Sequence, residues 1–233
     1  MTRRFYEQAA ATHMDGGGHG VVLDGRPIRT PGGVPLTTPV AALAAVIAAE
    51  WMAQEDEIRP LTMPMMRLAA TAIDRIGKER AAIIDQIVAF GGSDLLCYRA
   101  ETPPGLVERQ SALWQPLLDW AAEALGARLQ ATRGIAHVTQ DPAALDALRA
   151  AVGALDDSRL AAVSQLTASC GSVVIALAVS SGHLDATGAA AASLLDEDWQ
   201  IEKWGADDEA VERRENVARE IAEAARFLDL LKG

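Results

Sequence analysis

The sequence predicts an α+β protein, and two observations carry that prediction. The first 40 residues alternate and turn as β-strands do, whereas from residue 38 onward apolar residues recur at helical spacing. A third observation organises the chain: the run Thr102-Pro103-Pro104-Gly105 suits neither a strand nor a helix interior and predicts a linker. The expected domains are therefore residues 1–102, with a small antiparallel β-sheet plus helices, and residues 103–233, which are helical throughout.

The strands come first. One is expected around Arg4 to Thr12, followed by the glycine-rich turn at Asp15 to Gly18. Gly20 to Leu23 and Arg26 to Thr30 flank Asp24-Gly25, the kind of pair that supplies the positive φ angles of a two-residue hairpin turn. Pro27 withholds an N–H from the ladder, so its strand should lie at an edge. Further short extended pieces are expected near Leu95 to Arg99 and Arg128 to Val138.

Helices follow. Thr38 is expected to cap the first, with Pro39 at its first position and Leu43, Ile47 and Trp51 on its inner face. Pro64 opens the second, where Met65, Leu68, Ala69, Ala72, Ile73 and Ile76 form an amphipathic stripe. The third carries Ile84, Ile87 and Val88 and stops at Gly91-Gly92. Beyond the linker, Leu106 to Leu125 places Trp114, Leu117, Leu118 and Ala121 inward. Asp141-Pro142, Ser158 and Asp185 start later helices, and Gly171 to Val179 is apolar all round, as in a helix surrounded by others. Asp207 and Asp208 begin the last helix.

Composition limits the function. Half of the 233 residues are apolar, enough for a substantial core, yet the longest apolar runs fall short of the roughly 18–20 residues needed to cross a bilayer. A soluble protein without membrane insertion is expected. Cys97 and Cys170 are too few and too far apart for a disulfide framework or a zinc site and read as structural in a reducing cytoplasm. The net charge of −11 argues against nucleic acid as a partner. Eleven acids against four bases between Asp196 and Glu223 supply −7 of it, as a solvated helical face or as a field that steers a basic partner surface.

Signatures of common chemistries are missing: GxSxG, HExxH, a GxxxxGK[ST] phosphate loop and a usable dinucleotide fingerprint. The GGGHG run at residues 16–20 lies between strands and reads as a turn, and His13, His19, His137 and His183 are scattered singly. No catalytic residue, cofactor or metal is expected.

Binding has better candidates. LDEDWQIEKWG, residues 195–205, sets Asp196, Glu197 and Asp198 beside Trp199, Gln200 and Trp204. Carboxylates next to large aromatic surface suit gripping a protein. A plain solvated helix with one tryptophan buried is the alternative. Met63 and Met66 flank Pro64 and could adapt to a changing apolar client, or fill the core as Met65 should. A small enzyme working through Asp196, Glu197 and Asp198 is a second reading, and a generic helical adaptor a third.

Five segments, in order, resemble one family. They are RRFYEQ at 3–8, LDGRPIRTPGGVPLTTP at 23–39, AAEWMAQEDEIRPLTMPMMRLAATAIDR at 48–75, SDLLCYRA at 93–100 and LDEDWQIEKWG at 195–205. The family is that of the assembly chaperones that hold the α subunit of the F-type ATP synthase catalytic sector before it meets the β subunit. The resemblance implies a C-terminal orthogonal helical bundle, the unassembled α subunit as partner, no cofactor and ATP-independent release. It also implies an important acid among Asp196, Glu197 and Asp198, with Glu197 the choice. Mitochondrial members carry an import leader; Arg3 nearly begins this chain, which implies a bacterial cytoplasmic member, expected to be monomeric when free.

Overall fold

The structure, a computed structural model, describes residues 2–232. In chain order its elements are β1 (Thr2–Arg3), β2 (Ala9–His13), β3 (His19–Leu23), β4 (Arg26–Pro27), β5 (Thr37–Thr38), α1 (Ala41–Met52), β6 (Glu57–Ile58), α2 (Pro64–Thr71), a π-helical turn at Ala72–Ile76 and α3 (Gly77–Gly91). There follow β7 (Tyr98–Arg99), α4 (Pro104–Ala124), β8 (Thr132–Arg133), α5 (Pro142–Gly153), α6 (Asp157–Cys170), α7 (Val173–Ser181), α8 (Ala186–Ser193), α9 (Leu195–Trp204) and α10 (Asp208–Leu230). The α+β class is as predicted. Contacts group the residues into two compact units, one of residues 2–80, 156–162 and 226–232, the other of residues 81–155 and 163–225.

In the first unit β2 and β3 pair antiparallel from Ala9↔Leu23 to His13↔His19, and β3 turns into β4 at Asp24 and Gly25, with φ of 48° and 79°. Two consecutive positive φ angles give the hairpin the right-handed twist of its strands. β4 sits at the sheet edge with Pro27 in it, and β5 pairs with the far end of β3. Helix α1 packs on β2 and β3, burying Leu43 and Ile47.

Three expectations change in this unit. Thr38 does not cap α1: it is buried in β5, where its hydroxyl donates to the carbonyls of His19 and Val40. The strand expected from Arg4 to Thr12 breaks at residues 4–8, because the Arg4 guanidinium is drawn to the Gln54 carbonyl at 2.6 Å and the Tyr6 hydroxyl to that of Trp51 at 2.6 Å. The residues before the break pair instead with β6, a two-residue strand beyond residue 40 that carries no alternation to betray it. Side chains supply the remaining order. Glu50 accepts from the N–H groups of Met65 and Met66, both at 2.8 Å, at the start of α2. Asp74, in the π-helical turn, accepts from the Thr30 hydroxyl and the Gly32 N–H.

The second unit is built around α7, whose residues Val173 to Val179 are all buried, as the unbroken apolar run predicts. Each such fully buried aliphatic side chain contributes about 1.5–3 kcal/mol. Ser172 caps α7 by accepting from the Ile175 N–H at 3.1 Å. Trp114 of α4 is fully buried and its indole N–H donates to the Ala192 carbonyl at 2.9 Å. β7 and β8 pair in parallel within the two extended pieces expected there.

Pro103-Pro104-Gly105 is the start of α4 and not a linker: Pro103 is the N-cap and Pro104 the first helical residue, where a missing N–H removes no helical bond. The boundary expected at residues 102 and 103 falls inside the second unit, which begins at Ala81. Packing is the reason. A Cβ on Gly91 would lie 2.7 Å from the Leu148 side chain, so α3 approaches α5 closely there. Three residues on, the Asp94 carboxylate accepts from the Leu96 N–H at 3.1 Å and the Val174 N–H at 3.3 Å, tying the chain before β7 to the start of α7. Helix α3 buries Ile87 and Val88 as expected, but Ile83 in place of Ile84, which is half-buried. Cys97 and Cys170 are both buried, which pushes each thiol up to about 12 and leaves it unreactive.

Candidate functional site

Helix α9 brings Asp196, Glu197, Asp198, Trp199, Gln200 and Trp204 onto one short element. Three acids in its first turn and Lys203 in its last complement the helix dipole, and Gly205, with φ 85°, ends it in a conformation that side-chain-bearing residues avoid. The six residues then divide by face.

One face is seated. Trp199 is 8% exposed, with the Arg109 guanidinium and the Lys203 ammonium each 4.8 Å from its ring centroid. Arg109 also pairs with Glu202 at 2.8 Å. Beneath the ring lies Gly105, where a Cβ would stand 2.9 Å from the indole edge. Asp196 accepts from the Gln110 side-chain amide at 2.6 Å, and the same Gln110 accepts from the Ala100 N–H at 2.8 Å. Partial burial raises the Asp196 carboxyl above its ordinary value; Gln110 opposes that rise and Glu197 adds to it.

The other face is open. Glu197, Ile201 and Trp204 stand at i, i+4 and i+7, so they share a stripe, and Gln200 lies beside it. Trp204 is 77% exposed, an unusual state for an indole in a folded helix. Glu197 is held by Arg213 and Asp198 by Arg214, both from α10. These arginines, with Arg109 and Gln110, were not among the expected site residues. Their only mark in the sequence is an Arg-Arg pair within an acid-rich stretch.

Met63 and Met66 stand elsewhere. They belong to the first unit and are 2% and 8% exposed, so they offer a client no surface; like Met65 they are part of the core, where α2 packs on α1. The proline between Met63 and Met65 starts α2 and turns these side chains inward.

Helix α9 combines a seated face with an exposed indole. Its carboxylates face an amide and two guanidinium groups: Asp196 accepts from Gln110, and Glu197 and Asp198 pair with Arg213 and Arg214. Among the described residues no group of three His, Cys, Asp or Glu is placed to hold a metal ion, and no helix is long and apolar enough to cross a membrane.

Comparison with known proteins bears on the same chain. Residues 3–122 match the model of the ATP12 chaperone protein family. The chain is 29% identical over 237 residues to the fission yeast (Schizosaccharomyces pombe) protein atp12, mitochondrial, covering 96% of this chain and 81% of the relative. The crystal structure of Atp12 from Paracoccus denitrificans superposes with a TM-score of 0.93 at 41% identity, covering 98% of each chain. A crystal structure from Agrobacterium tumefaciens gives a TM-score of 0.91, also at 41% identity, over 99% of this chain and 85% of that one.

Proposed function

The chain belongs to the ATP12 chaperone protein family, a family of ATP synthase assembly chaperones, and on that premise we propose that its client is the unassembled α subunit of the catalytic sector. An isolated α subunit exposes the face that will later contact β, and exposed apolar area of that size aggregates. The observation that carries the reading is the open stripe of α9: an exposed Trp204 for affinity, with Ile201 and Glu197 in line behind it. Glu197, Asp198 and Gln200 orient the client, while Asp196 and Trp199 hold the helix that presents them.

Release needs no nucleotide in this scheme. The β subunit displaces the chaperone by competing for the same face, and the free chaperone is a monomer in the bacterial cytoplasm. The test is to dilute freshly unfolded α subunit into buffer with increasing chaperone and follow light scattering. Suppression saturating near one chaperone per α is expected, unaffected by ATP, with added β freeing the chaperone while scattering stays low. Trp204→Ala should weaken protection by about 2 kcal/mol, the size of an interface hot spot. Unchanged protection by that variant, at wild-type stability, removes α9 from the contact; no protection of α by the wild type removes the client.

A further inference from the structure

The first unit carries a second surface with the opposite electrostatic character. A cleft of about 520 Å³ is lined by the aromatic side chains of Phe5, Tyr6 and Trp51 and by the buried Leu23 and Ile28. That volume lies within the roughly 300–1,000 Å³ of clefts that take small ligands or a few side chains. Phe5 is 70% exposed, stacked edge-on against Tyr6, which in turn meets Trp51 edge-on. An uncovered phenylalanine beside an aromatic cleft is a vacant half of an apolar contact.

The polar groups say what kind of occupant fits. Arg26 and Arg29 line the cleft, are exposed, and pair with no carboxylate among the described residues; Arg29 donates only to the Gly33 carbonyl, at 2.7 Å. The lining carboxylate, Asp24, is already engaged by the backbone N–H groups of Glu7 and Gln8, the latter at 2.8 Å. In a chain of net charge −11, two unpaired guanidinium groups at one aromatic cleft select an anion. The indole N–H of Trp51 is buried without a hydrogen-bond partner among the described residues, while other atoms of the side chain line the cleft.

We propose that this cleft seats an extended segment of the client in which an aromatic or branched aliphatic side chain is flanked by carboxylates. The apolar side chain enters between Phe5 and Trp51, and the carboxylates meet Arg26 and Arg29. A small-molecule cofactor fits less well, because such sites fix their ligand with several convergent polar groups and this one has two exposed cations. The inference rests on the chaperone reading above and adds a contact of reversed charge to it.

The probe is the capped peptide Gly-Glu-Phe-Asp-Leu-Gly, titrated into the full chain and followed by the tryptophan indole N–H signals, that of Trp51 being identified by its loss in Trp51→Phe. A saturable shift of the Trp51 signal is expected. A peptide with lysine in place of both acids should bind about tenfold more weakly, and the double variant Arg26→Gln, Arg29→Gln should bind the acidic peptide about fivefold more weakly. Phe5→Ala, whose exposed ring is dispensable for folding, should do the same at unchanged Tm. Equal binding of the two peptides, a shift confined to other indoles, no saturation, or displacement by ATP beyond that of salt at equal ionic strength overturns the proposal. Scattering with α subunit keeps the two readings apart: protection without peptide binding discards the cleft alone, and peptide binding without protection discards the client alone.

Discussion

Asp94 and the acids of α9 lie in the same unit and differ in one respect, what surrounds them. Asp94 is fully buried, and every group that approaches its carboxylate is a neutral donor: the Ser172 hydroxyl and the N–H groups of Leu96, Val173 and Val174. Glu197 and Asp198 are half-exposed and face guanidinium groups. Burial raises the Asp94 carboxyl to about 6 despite four hydrogen bonds. The contrast teaches that acidic character alone does not mark a binding surface: an acid satisfied by backbone holds the fold, whereas one paired with a cation at the surface can exchange it for a partner's.

The largest break of this comparison is Asp94→Ala. It strands N–H groups at the start of α7 and before β7, and at pH 7 should cost about 2–3 kcal/mol in denaturant unfolding. A cost below about 0.5 kcal/mol would mean that water replaces the carboxylate and that its burial is not what distinguishes it.

pH sharpens the same contrast. A carboxyl with a folded value near 6 against an ordinary 3.8 binds its proton more tightly when folded, so its contribution is fully present below pH 3.8 and is lost as pH rises through 6. The full displacement corresponds to about 3 kcal/mol, of which about 2 kcal/mol should appear as a growing penalty of Asp94→Ala between pH 7 and pH 4. Glu202 of α9 has the opposite sign: its hydrogen bond from Arg109 lowers its carboxyl, so whatever it contributes is lost on acidification. As pH falls from 7 to 4, the unfolding curve of Asp94→Ala should therefore draw away from wild type, whereas that of Glu202→Gln should approach it.

Asp196 stands between the two cases, half-buried and hydrogen-bonded to a buried amide. Asp196→Ala leaves the Gln110 side-chain N–H groups without that acceptor and should cost about 1–2 kcal/mol. Asp196→Asn retains an acceptor and should restore most of it.

The sequence made one side of this comparison legible and hid the other. The acids and tryptophans of residues 195–205 stand together in the chain, and Gly205 marks their end, so their place on one helix was legible before its geometry was known. The hairpin at Asp24-Gly25 and the buried run of α7 were readable for the same reason: their signals are local. Asp94 and Ser172 are 78 residues apart, and each alone looks like a surface residue. Only the fold brings the carboxylate to the helix start, as it brings Arg213 and Arg214 to α9. The Pro103-Pro104 pair misled because proline ends a helix interior but is at home in its first turn. Met63 and Met66 misled because adaptable side chains suit a core as well as a groove.

The smallest expected effect on folding is that of Glu197→Gln, and it is the most informative for function. The residue pairs with Arg213 at the surface, where such ion pairs contribute about 0–1 kcal/mol, so the variant should unfold within about 0.5 kcal/mol of wild type. In a double-mutant cycle with Arg213→Gln the coupling should be equally small and should shrink further with added salt. The client experiment should respond differently. If a cation of the α subunit replaces Arg213 and is desolvated in the complex, loss of the carboxylate weakens protection by about 2–5 kcal/mol, whereas a contact at the rim changes mainly the association rate and its salt dependence. Arg213→Gln separates the two further. It frees Glu197 in the unbound chaperone and should leave protection equal or improved, since no internal pair then has to be broken. Full protection by Glu197→Gln at wild-type stability would place the client contact on Trp204 and its neighbours alone, and an unfolded Glu197→Gln would put Glu197 beside Asp94 as a residue of the fold.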